Sequence, residues 1–227
     1  MAKLEWDKTG EKTYETGVSK GVLYVQGASG AYGTGVAWPG LSKVDESPSG
    51  AEPTKLYANN GVYVTLMSAE EYAFTIEAYD SPEEFDECDG TKEVAKGITI
   101  RQQDRTPFGF CYRTEIGNDT EGTNHGYKLH LVYGCKASPS SKSHETINDS
   151  PSADTLSWEV NTTPVAVEGF KPTSVVEIDS TTVSKENMQK IEDKLYGTVS
   201  EEATLPSIAE IIELVGTSSS EPGGIGG

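Results

Sequence analysis

The chain has 227 residues, with 36 acidic and 18 basic side chains and a formal charge of −18 at pH 7. That balance argues against nucleic-acid grip, because proteins that hold DNA or RNA neutralise phosphates with clustered Lys and Arg. The length admits one large β domain or two small ones, and 24 Gly with 11 Pro fall well short of a low-complexity composition.

The N-terminus, MAKLEWDKTG, carries Glu5 and Asp7 where a secretory leader needs an apolar run. No stretch approaches the roughly 18 to 20 apolar residues of a membrane span. The expectation is a soluble protein made in a cytoplasm. From about Lys20 to Ser180 the pattern alternates with period 2, which predicts strands. The runs are Gly21–Val25, the Val62, Val64 and Leu66 face opposed by Tyr63, Thr65 and Met67, and the Tyr72, Phe74, Ile76 and Ala78 face opposed by Glu71, Thr75 and Glu77. Further runs are Gly97–Gln103, Pro107–Ile116, Tyr127–Gly134, Thr155–Thr163 and Ser174–Ser180. Turn signals at Asn60-Gly61, at Ser47-Pro48-Ser49-Gly50 and over Gly117–Gly126 separate them. The expected fold is mainly β, an antiparallel sandwich or barrel with one or two short flanking helices.

Three segments carry helix signals. Ser81 and Pro82 lead into Glu83, Glu84, Phe85, Asp86, Glu87 and Cys88, with a capping Ser, Pro at the first helical position and acids in the first turn. Ser184 caps a stretch with Met188, Ile191 and Leu195 at helical spacing, ended by Gly197. Beyond Pro206, Ile208, Ile211, Ile212 and Val215 form a narrow apolar stripe that must pack on this subunit or the next. Three loops are long for a compact domain: Gln26–Gly35, Asp45–Asn60 and Ala137–Ser152. The organisation predicted is an arm over 1–17, a β domain over 18–200, a short helical arm over 201–215 and a disordered Gly/Ser-rich tail over 216–227.

The motifs that carry chemistry elsewhere are weak here. Cys88, Cys111 and Cys135 are an odd number without C-x-x-C spacing, which predicts buried thiols rather than a disulfide or zinc site. Gly17-Val18-Ser19-Lys20-Gly21 matches G-x-S-x-G, but a polar segment precedes it and a strand follows, the reverse of a nucleophile elbow, so a surface turn is expected. His125 and His130 are five apart on or near a strand and point to opposite faces, so they cannot chelate one ion, and His144 lies in a Ser-rich loop. The Gly-rich stretch Gln26–Gly35 lacks the Lys-Ser/Thr of a Walker loop. Two acid clusters, Asp80, Glu83, Glu84, Asp86, Glu87 and Asp89, and Asn118, Asp119 and Glu121, offer oxygen ligands for a cation such as Ca²⁺ but lack EF-hand spacing. They read as a solvated helix start and a solvated loop. No catalytic, cofactor-binding or metal-binding residue is assigned.

The order of segments carries more. Trp6–Val25, Ala31–Glu52, Ser68–Gly90, Arg105–Gly134 and Thr155–Val167 together resemble the major tail tube proteins of long-tailed, non-contractile bacteriophages. The likeness covers roughly Trp6 to Thr198. It implies a β-sandwich with a flanking helix that assembles in the host cytoplasm into hexameric rings. Rings would stack around a tape measure protein into the virion tail, with tail terminator and distal tail proteins at its ends and DNA passing through the lumen without specific binding. It implies no enzyme activity, no cofactor and no membrane anchor. By the same resemblance Asp45–Asn60 would be a hairpin extension reaching a neighbour, making Asp45, Glu46, Pro48, Lys55, Leu56, Tyr57, Asn59 and Asn60 candidate inter-subunit contacts. The arms Ala2–Val18 and Glu201–Val215 would add to these, the latter through Ile208, Ile211 and Ile212. An acidic lumen wall would repel phosphates, over a Debye length of roughly 10 Å at 0.1 M salt. The alternative is a monomeric β-sandwich binding module, a virion decoration or glycan-binding adhesin domain using Tyr32, Trp38 and Tyr57. A hydrolase built on Ser19 or the acid clusters is a third class.

Overall fold

The computed structural model describes residues 3–144, 146 and 153–216. The tail Thr217–Gly227, and the part of the 137–152 loop at 145 and 147–152, lie outside the described residues. Among the described residues fourteen strands follow in chain order: β1 (Thr13–Val25), β2 (Val36–Ala37), β3 (Leu41–Glu46), β4 (Ser49–Gly50), β5 (Pro53–Ala58), β6 (Gly61–Met67), β7 (Glu70–Glu71), β8 (Ala73–Ala78), β9 (Lys92–Ala95), β10 (Ile98–Ile100), β11 (Phe108–Asn118), β12 (Gly122–Ala137), β13 (Leu156–Thr162) and β14 (Val175–Asp179). Helix α1 (Asp86–Asp89) follows a 3-10 turn, and α2 (Lys185–Tyr196) and α3 (Ile208–Val215) follow β14. The fold is mainly β, and every strand pairing is antiparallel. Among the described residues no helix is long and apolar enough to cross a membrane.

Eight strands form one sheet in the order β2-β1-β11-β12-β13-β8-β3, with β14 also paired to β12. The sheet curls until β3 returns beside β1, where a Cβ on Gly21 would meet Leu41 and Trp38. Alternation then sorts side chains into two cores. Leu23, Phe110, Tyr112, Val132, Phe74, Ile76, Trp158 and Val160 point inward, joined by Trp38, Phe85 and Cys88. Trp38 anchors this core, with Phe85 at 4.6 Å and Phe110 and Trp158 at 5.5 Å between ring centres. Its indole N–H donates to the Asp80 carbonyl at 3.0 Å. Val22, Tyr24, Cys111, Leu129, Leu131, Tyr133 and Ile178 point outward, beneath Met188, Ile191 and Leu195 of α2 and Ile208 and Ile211 of α3.

One bulge organises β12. Val132 and Cys135 both face the inner core although three residues apart, because the register with β11 slips between Phe108↔Cys135 and Phe110↔Val132. Gly134 absorbs the extra residue at φ 62°. Before it, residues 128–132 pair with β14; after it, residues 135–137 pair with β13.

Several local expectations shift. Pro82 stays extended (ψ 149°) and occupies the N-cap without a side-chain cap bond, so helix begins at Glu83 and Ser81 caps nothing. Ser184 does cap α2, accepting from the Asn187 N–H, and Gly197 ends it at φ 75°. The G-x-S-x-G segment lies inside β1, where two register shifts flank Ser19 and Lys20 sits at φ 51°, so it is a bulged strand rather than a surface turn. The Gly117–Gly126 loop contracts to a turn between Asn118 and Gly122, since the Asn118 side-chain oxygen accepts from the backbone N–H groups of Thr120 and Glu121. Gln26–Gly35 keeps its irregular path but is pinned, with the Tyr32 hydroxyl accepting from Gly134 N–H at 2.9 Å and Gly35 N–H donating to the Ala203 carbonyl.

All three cysteines are free and buried. Burial, then the carboxylates of Glu87 and Asp89, pushes the Cys88 thiol up to about 12, and burial first pushes Cys111 to about 12 as well. At pH 8 only about one thiol in 10⁴ at these sites is thiolate. Iodoacetamide at pH 8 is therefore expected to leave the native chain unmodified over hours and to add three labels in urea, counted by intact mass. Gly134→Ala is expected to cost at least about 2 kcal/mol in urea melts, because its Cβ would lie 2.3 Å from the Thr163 carbonyl oxygen at a left-handed φ.

Candidate assembly surface and polar mouth

Strands β5 and β6 pair with each other and join no other sheet. The turn is two residues, Asn59 (φ 51°) and Asn60 (φ 66°), with Ala58 opposite Gly61. It therefore sits one position earlier than the Asn60-Gly61 signal predicts, because two left-handed residues suit a type I′ hairpin and Asn tolerates that region. Leu56 and Val64 are paired and share a face with Leu66; the register slips there, with Tyr63 as the extra residue, so that the next pair, Tyr57 and Val62, lies on the other face, as does Met67. All seven are exposed, Tyr63 to 76%. A second separate hairpin, β9–β10, exposes Val94, Ile98 and Ile100. The N-terminal segment exposes Leu4 and, at 76%, Trp6.

The residues expected to contact a neighbour divide into three groups. Lys55, Leu56 and Tyr57 lie in β5, Asn59 and Asn60 form its turn, and Pro48 stands exposed between β3 and β4. Asp45 and Glu46 are not in a loop: they end β3 and pair with Thr75 and Phe74 of β8. Asp45 binds the Lys43 ammonium group, and Glu46 accepts a 2.6 Å hydrogen bond from the Tyr112 hydroxyl. Ile208 and Ile211 are buried in the outer core of their own chain, leaving Ile212 37% exposed on the stripe. Helix α3 is held there by a capping box, in which Ser207 Oγ accepts from Glu210 N–H and Glu210 Oε2 accepts from Ser207 N–H at 2.7 Å.

The inner face of the sheet changes character at one end. Along β12 it runs Val132, His130, Lys128; along β14 Val175, Glu177, Asp179; along β11 Phe110, Tyr112, Thr114; and along β3 Val44, Glu46. Tyr112, His130 and Glu177 are directly opposed across three neighbouring strands. Glu46, from β3, completes this polar mouth, and its carboxylate, His130 and the Glu177 carboxylate each place a ligand-type atom within 4.8 Å of the others. Glu15 of β1 accepts from Lys128 Nζ at 2.7 Å and from Thr114 Oγ1 at 2.6 Å. Burial would raise its carboxyl, but these bonds outweigh that and hold it below the usual range. The Tyr112 phenol is pushed far up by burial, by Tyr72 and by Glu46, so it remains a neutral donor.

Several members of the acid clusters named from sequence are engaged within the chain. Asp89 Oδ2 takes the Lys142 ammonium at 3.0 Å, and Arg105 donates to its carbonyl at 3.0 Å. Asp119 accepts from Gly10 N–H, and Glu121 Oε2 lies 2.9 Å from His125 Nδ1. The aromatics named for glycan binding separate too: Trp38 is core, Tyr32 is half-buried and Tyr57 is exposed.

Comparison with protein-family models and with curated proteins returns no match. The bonds from Ser207 hold the Glu210 carboxyl below its ordinary 4.5. A depressed carboxyl stabilises the fold fully above its unfolded pKa and loses that contribution as pH falls through the folded one. Ser207→Ala is expected to cost about 1 kcal/mol at pH 7, and less at pH 3, in urea melts at the two pH values.

Proposed function

We propose that the chain is a structural, self-assembling protein whose hexameric rings stack into the tail tube of a long-tailed, non-contractile bacteriophage. The observation that carries this reading is the pair of separate, apolar hairpins. A two-stranded hairpin is marginal by itself in water, and contiguous exposed apolar side chains mark interaction surfaces. Covering Leu56, Val64 and Leu66 with a second copy contributes on the order of 1 kcal/mol apiece. The exposed Leu4 and Trp6 of the N-terminal segment add a third such surface.

In this reading a tape measure protein fills the tube during assembly, terminator and distal tail proteins cap it, and the −18 charge discourages phosphate adhesion during genome transit. The protein acts in the virion tail and needs no catalysis and no cofactor. Burial of Trp38 and the use of the Tyr32 hydroxyl within the chain weigh against the glycan-binding alternative.

Negative-stain electron microscopy beside size-exclusion chromatography, on the purified chain over rising concentration with and without initiator proteins, tests the reading. Hollow rings or tubes are expected. The double variant Val64→Asp, Leu66→Asp is expected to abolish them while changing monomer stability by about 0.5 kcal/mol or less. A wild-type chain that stays monomeric with initiators present, or a variant that assembles equally well, sinks the proposal.

A further inference from the structure

The polar mouth holds one group whose bonding is incomplete. His130 is 3% exposed, and its Nδ1 has no hydrogen-bond partner among the described residues. Its other nitrogen is well placed, with Nε2 2.9 Å from Thr114 Oγ1 and 3.4 Å from Glu15 Oε1. A threonine hydroxyl has one hydrogen, and the 2.6 Å contact with the Glu15 carboxylate claims it. Thr114 Oγ1 therefore accepts from Nε2–H, which leaves Nδ1 as the ring atom available to a proton or a metal ion. Nδ1 faces two carboxylate oxygens, Glu46 Oε1 at 3.8 Å and Glu177 Oε1 at 4.0 Å. Two carboxylates converging on one ring nitrogen attract a positive charge between them, which a bound cation supplies.

Charge counting sets its size. Lys128 is 2.7 Å from Glu15 and 3.6 Å from Glu177, so its charge is met first by Glu15. Glu46 and Glu177 then carry two negative charges with no cation of their own among the described residues, apart from the longer Lys128 contact. The supports are those of a ligand set: the Tyr112 hydroxyl orients Glu46 at 2.6 Å, and its ring stacks on His130 at 4.5 Å and 3°.

We propose that His130 Nδ1, Glu46 and Glu177 bind one divalent cation of the Zn²⁺ class, with its remaining position open to solvent. Ligand atoms around tetrahedral zinc, with arms of roughly 2.1 Å, stand about 3.4 Å apart. The observed separations approach this and close by rotation of two exposed glutamates. The imidazole nitrogen and the short oxygen list favour zinc over Ca²⁺ or Mg²⁺, which take six or more oxygens. The bound ion would tie β3 to β12 and β14, with neither of which β3 shares a ladder. The site belongs to the single chain and does not depend on ring assembly.

The test is a Zn²⁺ titration of the chelator-stripped, full-length protein against a chromogenic chelator, with Co²⁺ absorption as a second readout. One Zn²⁺ per chain is expected, undisturbed by millimolar Mg²⁺ or Ca²⁺. Glu177→Gln and Glu46→Gln, checked for folding by circular dichroism, are each expected to weaken binding at least about 10-fold and to change the Co²⁺ spectrum. The positioning variant Thr114→Val is expected to lower affinity by about 10-fold at unchanged stoichiometry, and His125→Gln and His144→Gln to leave it unchanged. Absence of stoichiometric binding, equal binding by both glutamate variants, or displacement of Zn²⁺ by Ca²⁺ overturns the proposal.

Discussion

Strands β11 and β12 are buried on both faces, and the rest of the molecule is arranged around that double demand. Phe110 and Tyr112 alternate with Cys111, and Val132 with Leu131 and Tyr133, so each strand feeds two cores at once. The inner side is covered by curling the sheet until β3 meets β1. The outer side cannot be covered by the same sheet, and α2 and α3 supply the missing layer. Hydrophobic burial of this kind fixes register, because a one-residue slip would exchange the two cores. The bulge at Gly134 keeps both assignments correct while β12 changes partner.

What lies outside the two cores is of two kinds. The hairpins and the N-terminal segment carry apolar side chains that nothing among the described residues covers, while the end of the inner face carries charge. These are different chemistries in different places: in the readings proposed above, one takes a second protein surface and the other a small cation. Apolar area is satisfied by many partners of similar shape, whereas an imidazole nitrogen between two carboxylates is satisfied by few.

Some local features were legible in the sequence because a single residue carries its own geometric consequence. Ser184 and Gly197 bound α2 as their chemistry dictates, and period 2 marked the end of β1, β6, β8 and β10 to β14, while β3, β5, β9 and the two-residue strands carried no such run. Asp45–Asn60 was less readable, because a separate hairpin over β5 and β6 has no buried face to mark it and reads as a polar loop. Glu46, His130 and Glu177 were unreadable together, since their meeting depends on which strands pair. The signal was still present in β12: the run Leu129-His130-Leu131-Val132 places a histidine on the same side as a core valine, with Lys128 beyond it. Spacing from His125 concerns an ion held by one strand and says nothing about neighbours from β3 and β14.

The C-terminal segment is latched to the sheet by two phenols, Tyr24 donating to the Leu195 carbonyl at 2.6 Å and Tyr133 to the Pro206 carbonyl at 3.0 Å. These bonds join the first strand and the middle of the chain to its last helices. On a ribosome the outer face of β1, β11 and β12 stays bare until Ile208–Val215 has emerged, because its cover lies C-terminal to every strand it covers. A chain cut short before Ile208 would therefore carry its own mark of incompleteness, an oily sheet face that quality control can recognise.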